Sequence, residues 1–106
     1  MKLLLAIVDR DDSNAVVRQL SKRRFSCTKL PTTGGFLLSN NITLMIGVED
    51  EKVQDVIDII GEYSHARKQV IPSSSLAFDF DTAQPLEVTV GGATIFVLPV
   101  DRFEKV

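Results

Sequence analysis

A chain of 106 residues with 44% hydrophobic and 25% charged side chains is sized and composed for one compact domain, residues 1–106, and this excludes an intrinsically disordered chain. A net charge of −2 argues against a general nucleic-acid binder, yet a few local cations still suffice to hold a small anionic ligand. Cys27 is single, which excludes a disulfide framework and a cysteine-based zinc site, and the apolar run Leu3–Val8 is too short for a signal-peptide core or a membrane span, so a cytoplasmic protein is expected.

Lys2–Val8 reads as a strand that is apolar on both faces, with Leu3, Leu5 and Ile7 on one and Leu4, Ala6 and Val8 on the other. Such a strand belongs at the centre of a sheet that is covered twice. Asp9–Asn14 reads as a carboxylate-rich turn in which Asp12 or Ser13 caps a helix. Val16, Val17 and Leu20 form that helix's apolar stripe, and Lys22–Arg23–Arg24 closes it with cations that complement the helix dipole. Phe25–Leu30 is expected as a second strand ended by Pro31.

A loop follows, from Pro31 to about Asn40, containing Thr32–Thr33–Gly34–Gly35–Phe36. Consecutive glycines can turn their amides toward one concavity that suits a phosphate, and Phe36 offers a flat apolar face beside it. Ile42–Val48 alternates cleanly, with Ile42, Leu44, Ile46 and Val48 on one face and Gly47 on the other. A glycine inside a strand usually marks close approach of a ligand or of another backbone. Glu49 and Asp50 open a second helix whose Val53, Val56, Ile57 and Ile60 recur at helical spacing. Arg67–Ile71 is a short strand before Pro72. Ser73–Gln84 is a long loop in which Leu76, Phe78 and Phe80 alternate. Leu86–Val90 and Ala93–Val100 are strands separated by Gly91–Gly92, a two-residue hairpin signal.

The order βαββαβ, with a doubled last strand, predicts a ferredoxin-like α+β fold in which two helices cover one face of a four-stranded antiparallel sheet. The other face is then bare, although Leu3–Val8 and Ile95–Leu98 are apolar on both sides. That patch is too large for a typical monomer, so a homo-oligomer is expected to bury it.

Catalysis is hard to assemble. Cys27 and His65 are the sole thiol and imidazole, and they fall on a strand and beyond the second helix. Asp79–Phe80–Asp81 and the group Asp9, Asp11 and Asp12 offer oxygen ligands for a hard cation, but loop solvation and helix capping account for them. Gly34–Gly35 is followed by Phe36 rather than by lysine and a hydroxyl residue, so no Walker A loop is present, and no Rossmann fingerprint appears. The connection between Leu30 and Ile42 runs to about eleven residues, long for a hairpin loop. With Asn41 at its end to read a base edge, that loop points to binding rather than catalysis.

Two stretches carry a family resemblance: Thr28–Lys29–Leu30 with Thr32–Thr33–Gly34–Gly35–Phe36–Leu37, and Val90–Gly91–Gly92–Ala93–Thr94–Ile95–Phe96–Val97. Over nearly its whole length the chain resembles the PII-like cyclic di-AMP receptor proteins of the PstA or DarA type. The resemblance implies a homotrimer with one cyclic di-AMP at each intersubunit cleft and no catalysis, cofactor or metal. It places Thr28, Gly35, Phe36, Leu37, Asn41 and Gly47 at ligand-binding positions, with Phe36 on the buried adenine and Phe96 near the site. Ser26 stands where many relatives have an arginine lying over the second adenine; serine has no plane to stack, and Arg24 is the candidate substitute. Lys105 replaces a glutamine found in some members, and Asn40 a glycine. The resemblance also implies that the two long loops respond to ligand and pass the signal to a downstream protein. A PII-like trimer sensing ATP or ADP, and a structural trimer that has lost its ligand, are the competing readings.

Overall fold

The computed structural model describes residues 1–30, 40–71 and 86–106. Its elements in chain order are β1 (Lys2–Asp9), α1 (Arg10–Lys22), β2 (Thr28–Leu30), β3 (Asn41–Val48), a short 3-10 turn (Asp50–Lys52), α2 (Val53–Ser64), β4 (Arg67–Ile71), β5 (Leu86–Val90) and β6 (Ala93–Pro99). The glycine loop with Gly35, Phe36 and Leu37, and the stretch carrying Leu76, Phe78 and Phe80, lie outside the described residues.

Four strands form one antiparallel sheet in the order β2-β3-β1-β6, and the two helices pack on one face, as a ferredoxin-like α+β fold requires. The alternation in β1 decides which side the helices take. Leu4, Ala6 and Val8 are fully buried together with Leu44 and Ile46 of β3, Val16 and Leu20 of α1, and Val56 and Ile60 of α2. Ile59 joins this core, widening the stripe expected for α2. Leu3, Leu5 and Ile7 project from the opposite face and are only partly covered.

Three local expectations are corrected. The cap of α1 is Asp9, whose carboxylate accepts a hydrogen bond from the Asp11 amide at 2.8 Å, rather than Asp12 or Ser13. β1 stays paired with β3 as far as Asp9↔Asn41, so the chain passes from strand to helix with no turn between. Ser13 instead donates its hydroxyl to the Arg10 carbonyl, and Asp12 turns to Arg67.

The second strand is Thr28–Leu30, not Phe25–Leu30. Arg24 has φ +66, a left-handed conformation that ends α1 with paired hydrogen bonds from Arg24 N–H to the Ser21 carbonyl and from Phe25 N–H to the Leu20 carbonyl. That turn takes in Phe25, the residue expected to begin the strand.

Leu86–Val90 and Ala93–Pro99 do not pair with each other across Gly91–Gly92. β5 pairs with β4 in a separate two-stranded ribbon, from Arg67↔Val90 to Ile71↔Leu86, while β6 pairs with β1. Gly91 and Gly92, with φ +79 and +84, redirect the chain from the ribbon into the sheet. Central β1 needs a neighbour on each side, and β6 fills the side that β3 leaves open.

Candidate ligand site on the open sheet face

Strand register lays out the uncovered face in rows. Thr28, Met45, Leu5 and Phe96 stand opposite one another across all four strands, and Gly47, Leu3 and Leu98 form the next row. Phe96 and Leu98 are 49% and 40% exposed, so β6 presents large apolar groups to solvent on this side.

Near the start of β1 and the end of β3 the face sinks into a concavity of about 420 Å³. Leu3 and Met45 contribute apolar walls, Ser26 and Thr28 contribute hydroxyls, and Phe103 from the tail stands at its side. Gly47 also lines it. Among the described residues, a Cβ built on Gly47 would meet nothing within 4 Å, so their packing does not require a glycine there. A smaller concavity of about 240 Å³ adjoins it, sharing Ser26 and Gly47 and flanked by the cationic Arg24 and Lys52. The Met1 ammonium lies at the same end of the sheet, paired with Asp50 at 2.9 Å; that hydrogen bond, and the ammonium's charge with it, holds the Asp50 carboxyl below its usual range.

Of the residues proposed from the sequence, Ser26, Thr28 and Gly47 therefore meet in one concavity, with Arg24 in the next. Asn41 does not join them. It opens β3 opposite Asp9, six residues from Gly47, or roughly 20 Å along the strand. Phe96 shares the row of Thr28 but sits three strand spacings away, roughly 14 Å. Gly35, Phe36 and Leu37 fall outside the described residues. Sequence reasoning passed over Leu3, Met45 and Phe103 as lining groups. The first two follow from the parity of β1 and β3 once Gly47 is placed, whereas Phe103 lies in a tail with no periodic pattern.

The remaining reactive groups are turned elsewhere. Cys27 packs against the core between the outward Ser26 and Thr28; burial pushes its thiol above the ordinary range, and the Lys29 charge pulls weakly the other way. Lys29 donates to the Asn14 side chain at 2.7 Å, tying β2 to α1. His65 caps the end of α2, its ring 3.4 Å from the Glu62 carbonyl. Among the described residues no group of three or more His, Cys, Asp or Glu could hold a metal ion, and no helix is long and apolar enough to cross a membrane.

A ferredoxin-like sheet with one covered face, and a concavity of hydroxyl and apolar groups on the other, defines a small α+β protein with an open cleft on its bare face. The chain matches the cyclic-di-AMP receptor family over residues 1–106 and belongs to it. A crystal structure of a functionally unknown protein from Pediococcus pentosaceus ATCC 25745 is 44% identical, aligns over 99% of this chain and 96% of that one, and superposes with a TM-score of 0.78.

Proposed function

We propose that this protein is a cytosolic, PII-like signalling receptor that binds cyclic di-AMP at the clefts between subunits of a homotrimer and catalyses nothing. Membership of the cyclic-di-AMP receptor family across the whole chain is the observation that carries the reading. The open face supports it. Its exposed Phe96 and Leu98 suit burial against a second copy, and the residues proposed to touch ligand are spread from Asn41 to Gly47 along β3. A neighbouring subunit is the simplest way to bring groups from both ends together at one cleft.

In this reading Arg24, Ser26, Thr28, Gly35, Phe36, Leu37, Asn41, Gly47 and Phe96 form the site. Phe36 holds one adenine, Thr28 and Asn41 supply polar contacts, and Gly47 leaves room. Cyclic di-AMP shifts the loops over 32–40 and 73–84 only in so far as it binds one of their arrangements better than another. A downstream protein then reads the difference.

Calorimetry against cyclic di-AMP, cyclic di-GMP and ATP, with light scattering for mass, tests this. Tight binding of cyclic di-AMP by a trimer is expected, with Phe36→Ala weakening it by about 5- to 150-fold, the worth of one aromatic–base stack. Preference for ATP moves the protein to the ATP/ADP-sensor reading. A trimer silent towards every nucleotide is a structural trimer, and a monomer contradicts the assembly.

A further inference from the structure

We propose that Phe103, in the tail beyond β6, is a ligand-binding residue whose ring stacks on a purine base seated in the open-face concavity. The inference rests on the reading of that concavity as part of a cyclic di-AMP site. It supplies what Ser26 lacks, a plane to cover the second base.

Phe103 lines the same concavity as Ser26, Thr28 and Gly47 and is nonetheless 66% exposed. Its position is held by the chain on either side. The Val100 amide donates to the Met1 carbonyl at 3.3 Å, fixing the start of the tail against β1. Arg102 donates its Nε to Glu104 at 2.9 Å, so these two side chains share one side of the tail. The concavity's volume of about 420 Å³ falls within the range of small-molecule sites, roughly 300–1,000 Å³.

The chemistry of the walls is divided as a base requires. Leu3 and Met45 offer apolar and polarisable surface, Ser26 and Thr28 offer hydroxyls that both donate and accept, and Gly47 offers bare backbone that no described residue covers. An aromatic base has two faces to cover and a polar edge to satisfy. The hydroxyls reach the edge, and among the described residues lining the concavity only Phe103 has an aromatic ring for a face.

The protein contains no tryptophan, so Phe103→Trp places a sole indole at the site. Wild type, Phe103→Ala, Phe103→Leu and Phe103→Trp are titrated with cyclic di-AMP by calorimetry, and the mass of each is measured by light scattering. The expected result is unchanged mass throughout, binding weakened about 5- to 150-fold in Phe103→Ala and also reduced in Phe103→Leu, which keeps bulk without a ring. Phe103→Trp keeps a ring and so binds more tightly than Phe103→Ala, and its emission is quenched as ligand saturates. Wild-type affinity in Phe103→Ala, or an indole indifferent to saturating ligand, overturns this inference alone. A reduced mass for Phe103→Ala also overturns it, since Phe103 then belongs to a subunit contact. Silence of the wild type towards cyclic di-AMP overturns the nucleotide reading, and this inference with it.

Discussion

At the root of the β4–β5 ribbon, Gly91 sits with φ +79 beneath an ion pair. Arg67 reaches Asp12 with two hydrogen bonds of 3.0 and 3.2 Å, and a Cβ on Gly91 would lie 2.6 Å from the Arg67 guanidinium and 2.8 Å from the His65 carbonyl. On the open face of the sheet, Gly47 lies inside a regular strand, and a Cβ there would meet none of the described residues within 4 Å. The first glycine is demanded by the fold. Backbone conformation, a close carbonyl and a packed guanidinium all forbid a side chain. The second is tolerated by the fold at a cost, since glycine weakens a strand interior, and no described residue fills the space it leaves. A glycine that the described packing does not explain is a place to test for a ligand or a second copy.

The Asp12–Arg67 contact also shows how the ribbon is joined to the body. Asp12 is nearly buried in the first turn of α1, and its hydrogen bonds and charge raise the Arg67 guanidinium above its ordinary range. Arg67 is the first residue of β4, so this pair and Gly91 bracket the point where both ribbon strands leave the body.

Substitution at the two glycines should separate the regions. Gly91→Ala is expected to destabilise the protein by about 2–4 kcal/mol, combining the left-handed backbone penalty with displacement of Arg67. Urea unfolding at fixed protein concentration measures it, and a midpoint equal to wild type would mean that the junction is looser than its contacts imply. Gly47→Val should reverse the pattern. Added methyl groups in the ligand's space are expected to weaken cyclic di-AMP binding about 10- to 200-fold, while a β-branched residue in the strand leaves folding within about 1 kcal/mol of wild type. Undiminished affinity would show that the space above Gly47 is not the ligand's.

A smaller effect comes from Cys27, which neighbours the open face in sequence but packs against the core. Burial disfavours its thiolate, so alkylation by iodoacetamide should run more slowly than for a free thiol at the same neutral pH and accelerate as pH rises past the ordinary thiol range. Saturating cyclic di-AMP should leave that rate unchanged. Protection by ligand would place Cys27 nearer the site than its packing does.

Much of this molecule is written locally. The period-two alternation of Leu3–Val8 and Ile42–Val48 and the helical spacing of Val56 and Ile60 identified the central strands, α2 and the core. A strand apolar on both sides with helices enough for one side already pointed to a bare face. The concavity was half legible: Thr28 and Gly47 came from the motif and from the oddity of a glycine in a strand. Phe103 was not, because a tail residue owes its place to the Val100–Met1 hydrogen bond and to strands distant in sequence.

What the sequence by itself determined is therefore the ferredoxin-like order of elements, the covered and uncovered faces of the sheet, and the kinship to cyclic-di-AMP receptors. Tertiary structure decided the pairings. Gly91–Gly92 reads locally as a hairpin, yet β5 went to β4 and β6 to the free side of β1. Phe25 reads as the first residue of a strand, yet the end of α1 claimed it for the turn that Arg24 makes. Side-chain periodicity reports which face of an element is buried. Which edge it joins is a competition among distant segments for the same hydrogen bonds, and no local pattern records the winner.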